Sequence, residues 1–332
     1  MSLEIKTNVI QPRRHTYDHI AKRLGADKPA TRYQEGTWDL QPTTNFHYRP
    51  TWDPSREIYD KSLTAIEMED WYSFNDPRQL YYGTYTMARH KMMEAEESHF
   101  KFINKSNMMA SMDEAWQRKV KEFLLPMRHY EWGANMNNCD CSDKAYGTAI
   151  SQVALFAAMD RLGMAQIISR VGLLMDDSTG KSLDQAKVDW MEDDLWQGVR
   201  RMVEDSFVVK DWFELLVAQN LSMDGVVFPL FYQYFDEAGQ RHGGAPMSML
   251  NEFMQDWGKD EKRWLDHLLK VTAAESPENA KLLAKWVSVW TDRAIEAFTP
   301  IAKHVLGEGA ADAMTSIRAE ITKRAQKSGI EI

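Results

Sequence analysis

The residues whose types and spacing could do chemistry lie on three segments of the chain. Glu96-Glu97-Ser98-His99 is its one Glu-x-x-His. On a helix, the i, i+3 spacing puts a carboxylate and an imidazole on one face, where both can reach the same metal pair. A di-iron carboxylate bundle needs two such pairs, plus one Glu from each of two further helices, all pointing inward. The other two segments are half-sites. In "LLPMRHYEW", His129 stands at the histidine position and Pro126 at the glutamate position. In "GKDEKRWLDH", Glu261 stands at the glutamate position and Trp264 at the histidine position. Neither proline nor tryptophan ligates a metal, and apolar bulk there avoids burying an unpaired carboxylate or imidazole. Within a helix, Pro126 also deletes a hydrogen bond, at a cost of about 3 kcal/mol. His129 is therefore read as a packed or hydrogen-bonded histidine. Glu261 reads as a solvated or ion-paired helix residue, and His99 as paired to a carbonyl or carboxylate.

The remaining candidates are weaker. His15 and His19 have i, i+4 spacing, but the segment "RRHTYDHIAKR" is basic and brings no further ligand. Cys139 and Cys141, in "NNCDCSD", are too close for an unstrained disulfide and read as reduced thiols. No glycine-rich phosphate loop, G-x-S-x-G or H-E-x-x-H occurs. The 20 methionines read as filler for an irregular core.

The elements that must position these residues are helices. Of 332 residues, 44% are hydrophobic, 27% are charged and only 17 are glycine, a composition that favours a soluble, helical protein. The formal charge of −9, without a basic run, argues against nucleic acid as a partner. No signal core stands at the N-terminus and no run approaches the ~18 apolar residues of a membrane span, so the expectation is a cytoplasmic protein. Six of the eleven prolines fall in the first 77 residues, together with aromatic stretches such as "NFHYRPTWDPSREIYD". That segment reads as an ordered, irregular arm lying on its own helical body or on another subunit. From "DPRQ" onward, Tyr81, Tyr85, Ala88, Met92, Ala95, His99 and Phe102 line one helix face. A capping box at Ser111–Glu114 predicts the next helix, with a stripe through Trp116, Val120, Phe123, Met127, Tyr130 and Ala134. Residues 149–175 are apolar nearly all round, which predicts a central, buried helix. Further helices are predicted near 184–220, 221–235, 246–273, from Ser276-Pro277, and near 310–325. The fold class is all-α, a large helical bundle with an irregular N-terminal arm.

The segments "NDPRQLYYGTY", "DDLWQGVRRMVEDSFVVKDWFELLVAQNL", "DEKRWLDHLLKV" and "KWVSVWTDRAIEAF" carry a family resemblance by their order and spacing. From about residue 45 onward, the chain resembles the β subunit of the hydroxylase component of bacterial multicomponent di-iron monooxygenases. The phenol hydroxylase branch is the first choice and the toluene monooxygenase branch the second. The resemblance implies a ferritin-like (ribonucleotide-reductase-like) fold over residues 78–332, with residues 1–77 as an arm wrapping partner subunits. It places Glu96 on a lone-Glu position, Pro126 and His129 on the first Glu-x-x-His, Val226 or Val227 on the second lone Glu, and Glu261 and Trp264 on the second pair. Three of six positions keep a suitable residue, too few for two irons. The resemblance therefore implies no catalytic, cofactor-binding or metal-ligating residue in this chain. It implies a di-iron centre in an α partner, a small γ subunit in an (αβγ)2 assembly, a regulatory protein, and a reductase with NADH, FAD and an iron–sulfur cluster. No nucleic acid or membrane partner is implied. The alternatives are a helical interaction protein unrelated to oxygenases and a catalytic di-iron protein using Glu96 and His99.

Overall fold

A computed structural model describes residues 16–26, 28–41, 49–51 and 53–332. Two short helices, α1 (Asp18–Leu24) and α2 (Arg32–Glu35), precede the body. The body begins with α3 (Tyr82–Lys105), α4 (Glu114–Lys119), α5 (Met127–Lys144), α6 (Thr148–Met175), α7 (Lys181–Glu192) and α8 (Asp194–Ser206). It continues with α9 (Trp212–Val217), α10 (Asp224–Pro229), α11 (Phe235–Gly239), α12 (Ala245–Glu275), α13 (Pro277–Leu306) and α14 (Ala310–Lys327). Helices α5 and α6 pack along most of their length, α12 lies against α3 and α6, and α13 closes the body against α8, α12 and α14. No strand occurs among the described residues. The result is the expected all-α bundle.

Wide, π-type turns interrupt the helices at Val120–Leu124, Ala218–Met223 and Leu230–Tyr234. The first one accommodates Pro126. A proline has no N–H for the carbonyl four residues back, here that of Glu122. The chain widens before Pro126, and α5 restarts at Met127. The indole N–H of Trp196, from α8, donates to the Glu122 carbonyl at 3.3 Å. A neighbouring helix thus supplies the donor that proline lacks, which offsets part of the predicted penalty.

Three expectations about helix ends and faces are corrected. Ser111 caps no helix: its hydroxyl donates to the Met108 carbonyl at 2.6 Å, and the cap residue is Asp113. Gly243 (φ +75°) approaches so closely that a Cβ there would stand 2.4 Å from the Ser111 carbonyl oxygen, which holds Ser111 in the preceding turn. The segment 184–220 is not one helix. Asp193 accepts from the Leu195 N–H at 2.9 Å and Asp211 from those of Phe213 and Glu214, so each aspartate starts a new helix. From Trp212 to His242 the chain is instead one helical run, long and apolar enough by composition to span a membrane (mean hydropathy 1.2), where none was expected; 94% of its apolar window is buried inside the protein. Finally, α6 is not buried all round: Leu155, Met159 and Leu162 are exposed, as are Trp132 and Met136 of the adjoining α5. An apolar helix face reads the same in sequence whether its own chain or another molecule covers it.

The described part of the arm lies on this chain's own body. Trp38 donates to Asn75 at 2.8 Å, and the Tyr33 hydroxyl accepts from the Asp76 N–H at 2.7 Å. The Ala65 N–H reaches Asp211, and the Glu67 backbone pairs with Asn279. Ile66, Trp71, Tyr72 and Phe74 are buried in the main core. The expectation that the arm wraps partner subunits also concerns residues 1–15 and 42–48, which lie outside the described residues.

Candidate functional site

The described positions named by spacing do not converge. Glu96, on α3, is fully buried, and neither of its carboxylate oxygens has a hydrogen-bond partner. His99 Nδ1 approaches it at 3.7 Å, longer than a hydrogen bond, and is itself unpartnered. Desolvation pushes the Glu96 carboxyl up to about 8, with Arg170 opposing and Glu252 adding. Burial thus favours its neutral, protonated form. His129 lies instead in a groove with Met93, Arg128, Trp132, Leu162 and Ile167, its ring 5.8 Å from that of Trp190. Burial, aided by Arg128 and Lys187, lowers its imidazole to about 4, so it too is neutral. Val226, Val227 and Trp264 are packed in the core. His15 lies outside the described residues, and His19 stacks on Tyr17. Cys139 is exposed and Cys141 buried, both as free thiols.

Of the two readings of Glu261, the ion-paired one holds and the solvated one does not: it is buried and bound to the guanidinium of Arg161, a residue that Glu, His and Cys spacing does not single out. Arg161 stands on α6 with 1% of its surface exposed. Its Nη1 donates to Glu131 Oε2 of α5 at 3.0 Å. Its Nη2 donates to Glu261 Oε2 of α12 at 2.7 Å and to Asp224 Oδ2 of α10. Three helices thus aim carboxylates at one cation supplied by a fourth.

The surroundings hold this arrangement in place. The Tyr130 hydroxyl donates to Asp224 Oδ1 at 2.7 Å, and that of Tyr232 to Glu131 Oε1 at 2.6 Å. Gln219 donates to Asp224 Oδ1 at 3.0 Å and is itself held by Asn137. Gln219 lies on the π-type stretch Ala218–Met223, which Asp224 directly follows, and Tyr232 lies on Leu230–Tyr234, so these widened turns aim the site, as π-bulges often do. The Phe228 ring lies 4.6 Å from the guanidinium carbon. Above the site, Arg89 of α3 pairs with Asp160 of α6 at 2.8 Å and with Asp260 of α12 at 3.2 Å.

Burial pushes the Glu131, Asp224 and Glu261 carboxyls above the usual carboxylate range, and Arg161 opposes that push in each case. The arrangement can fix four helices around one charge. It offers no exposed acid or base and no nucleophile. The six positions that the resemblance assigns to iron ligation do not fit the metal pair, because proline, valine and tryptophan stand at three of them. Among the described residues, no group of three or more His, Cys, Asp or Glu is disposed to hold a metal ion. One signal in the sequence did point here: Asp160-Arg161 interrupts a largely apolar helix, and Asp224 stands alone in "SMDGVVFP". A charge inside an apolar run is either functional or paired.

The sequence profile of the Methane/Phenol/Alkene Hydroxylase family matches residues 50–276. The chain is 46% identical to the phenol 2-monooxygenase oxygenase component DmpL of Pseudomonas sp. (strain CF600), across 100% of this chain and 99% of that one. It is 22% identical to the hydroxylase component subunit beta of the toluene-4-monooxygenase system of Ectopseudomonas mendocina, covering 92% of each. Its structure is similar to the crystal structure of phenol hydroxylase from Pseudomonas sp. OX1, with a TM-score of 0.93 and 46% identity over 99% of both chains.

Proposed function

The chain belongs to the methane/phenol/alkene hydroxylase family, and from that premise we propose that it is the non-catalytic structural subunit, of β type, of a multicomponent phenol/toluene monooxygenase hydroxylase. It assembles in the cytoplasm with an iron-bearing α subunit and a small γ subunit as (αβγ)2. The assembled oxidoreductase places one oxygen atom of O2 on an aromatic ring. Electrons come from NADH through a reductase carrying FAD and an iron–sulfur cluster, and a small regulatory protein assists. The chain engages neither nucleic acid nor membrane. Residues 78–332 are its body, and residues 1–77 are an irregular, aromatic-rich arm that wraps the partner subunits.

The observation that carries this reading is Arg161. The centre of the bundle holds a guanidinium, and the carboxylates that meet there are committed to it. Glu96, His129 and Glu261 share no hydrogen bond or ion pair with one another, so no residue of this chain is assigned to the chemistry. Its contribution is shape. A buried, cross-linked centre keeps the helices rigid, and the apolar stripe of Trp132, Met136, Leu155, Met159 and Leu162 gives the partner a face to cover.

The test is metal analysis and reconstitution with the complete hydroxylase. Purified alone after growth in iron-rich medium, the chain is expected to hold no stoichiometric iron and to turn over no phenol. Added to its α and γ subunits, it is expected to restore turnover. Stoichiometric iron in the isolated chain would overturn the non-catalytic assignment.

A further inference from the structure

The guanidinium of Arg161 occupies a position that resembles a coordination site. Its Nη2 is approached by one oxygen from each of two carboxylates, Asp224 and Glu261, on different helices, and Nη1 by a third from Glu131. The second oxygens of Asp224 and Glu131 are each held by a tyrosine hydroxyl. Such outer partners orient carboxylates around metals. Glu261 is 8% exposed, and its second oxygen, Oε1, is buried with no hydrogen-bond partner. Three acidic groups meet a single guanidinium, which does not fully offset their desolvation. Of these acids only Glu261 coincides with a position the family resemblance assigns to iron; Glu96 and His129 lie elsewhere.

We propose that Glu131, Asp224 and Glu261 form a divalent-cation site whose permanent occupant is the Arg161 side chain, and that removing the guanidinium opens it to one small ion. The donor set is all carboxylate, with no thiolate or imidazole. It therefore selects hard, oxygen-seeking ions such as Mn2+ or Mg2+. A dication neutralises the three acids better than the +1 of arginine, and the volume vacated by the side chain admits the water ligands such ions retain. With Arg161 in place the acids are splayed around a planar group, and the native chain binds no ion there.

The experiment uses the full chain and Mn2+ as the probe. Arg161→Ala, purified metal-free, is expected to bind a single Mn2+ by electron paramagnetic resonance titration. Its melting temperature is expected to rise with Mn2+ concentration, because an ion bound only by the folded state stabilises it by mass action. Arg161→Ala/Glu261→Gln should bind at least roughly tenfold more weakly. The proposal is overturned if Arg161→Ala folds and binds no more Mn2+ than wild type, or if it stays unfolded at every Mn2+ concentration. It is overturned equally if the Glu261 substitution leaves affinity unchanged. The wild-type chain is the control that separates this idea from the functional reading. Stoichiometric metal in wild type counts against the non-catalytic role, whereas absence of metal in Arg161→Ala counts only against the latent site.

Discussion

Trp196 donates its indole N–H to the carbonyl of Glu122 at 3.3 Å, the carbonyl to which Pro126 has no N–H to give. Trp196 is 1% exposed, so its removal costs both packing and a buried hydrogen bond. Trp196→Phe is expected to destabilise the chain by about 2–3 kcal/mol. Pro126→Ala restores a main-chain N–H near the same carbonyl, so the tryptophan substitution should cost less in that background, by roughly 0.5–1 kcal/mol. Urea denaturation of the four proteins measures the coupling. Strict additivity would mean that the indole does not compensate for the proline.

Glu96 gives the protein a pH dependence whose sign is fixed by burial. In the unfolded chain this acid ionises near its ordinary value of 4.5; in the fold it keeps its proton up to about 8. Between those values the folded state holds the extra proton. The stabilising contribution is thus full below the lower value and is lost as pH rises through the upper one. Glu96→Gln does not titrate. Relative to wild type it should gain stability as pH rises from about 5 to about 8, by a few kcal/mol at roughly 1.4 kcal/mol per unit, then level off. A wild-type-to-variant difference that stays flat across this range would show that Glu96 is ionised in the fold.

Helix periodicity made most of the fold legible, because a helix with one buried face writes its spacing into the chain. The Ser276 cap illustrates this: its side chain accepts from the Asn279 N–H, and Pro277 opens α13, as the "SPEN" signal predicts. Helix breaks were less legible. Asp193 and Asp211 are strong caps, but apolar spacing continues across both, and only tertiary packing selects the cap. The half-sites at Pro126/His129 and Glu261/Trp264 are legible in the sequence as incomplete Glu-x-x-His pairs. The buried cluster was harder to see, since Arg161 meets Glu131, Asp224 and Glu261 at sequence separations of 30, 63 and 100 residues. No local period reports a contact of that kind.

The exposed stripe on α5 and α6 predicts where partner binding is sensitive. Met159 and Leu162 are 36% and 44% exposed, and Trp132 and Met136 of the adjoining α5 are exposed as well. Met159→Asp and Leu162→Asp place charge on a surface that water already reaches, so each should change stability by less than about 0.5 kcal/mol. Covered by a partner, the same charge is desolvated without a counter-ion. Co-purification with the α subunit should fall at least tenfold, about 1.4 kcal/mol or more, while the melting curve of the isolated chain is unchanged. Undiminished co-purification would move the interface to another face.

Gly258, on α12, makes room for the ring beneath Arg161. A Cβ there would stand 2.6 Å from Phe228 Cδ1 and 2.9 Å from its Cε1. Phe228 cannot retreat freely, because the Arg161 guanidinium lies 4.6 Å from its ring and Tyr232 packs on it edge-on at 5.5 Å. Helix propensity favours alanine over glycine by about 1 kcal/mol. On an exposed helix face, Gly258→Ala would therefore stabilise. Here overpacking opposes it at about 1–3 kcal/mol, plus whatever the guanidinium loses when the ring moves. The net expectation is destabilisation by roughly 1–2 kcal/mol, from the same two terms. Phe228→Leu removes the clashing edge, so Gly258→Ala in that background should become neutral or stabilising. The two melting-temperature shifts would then have opposite sign, and equal shifts in both backgrounds would remove Phe228 as the reason for glycine at this position.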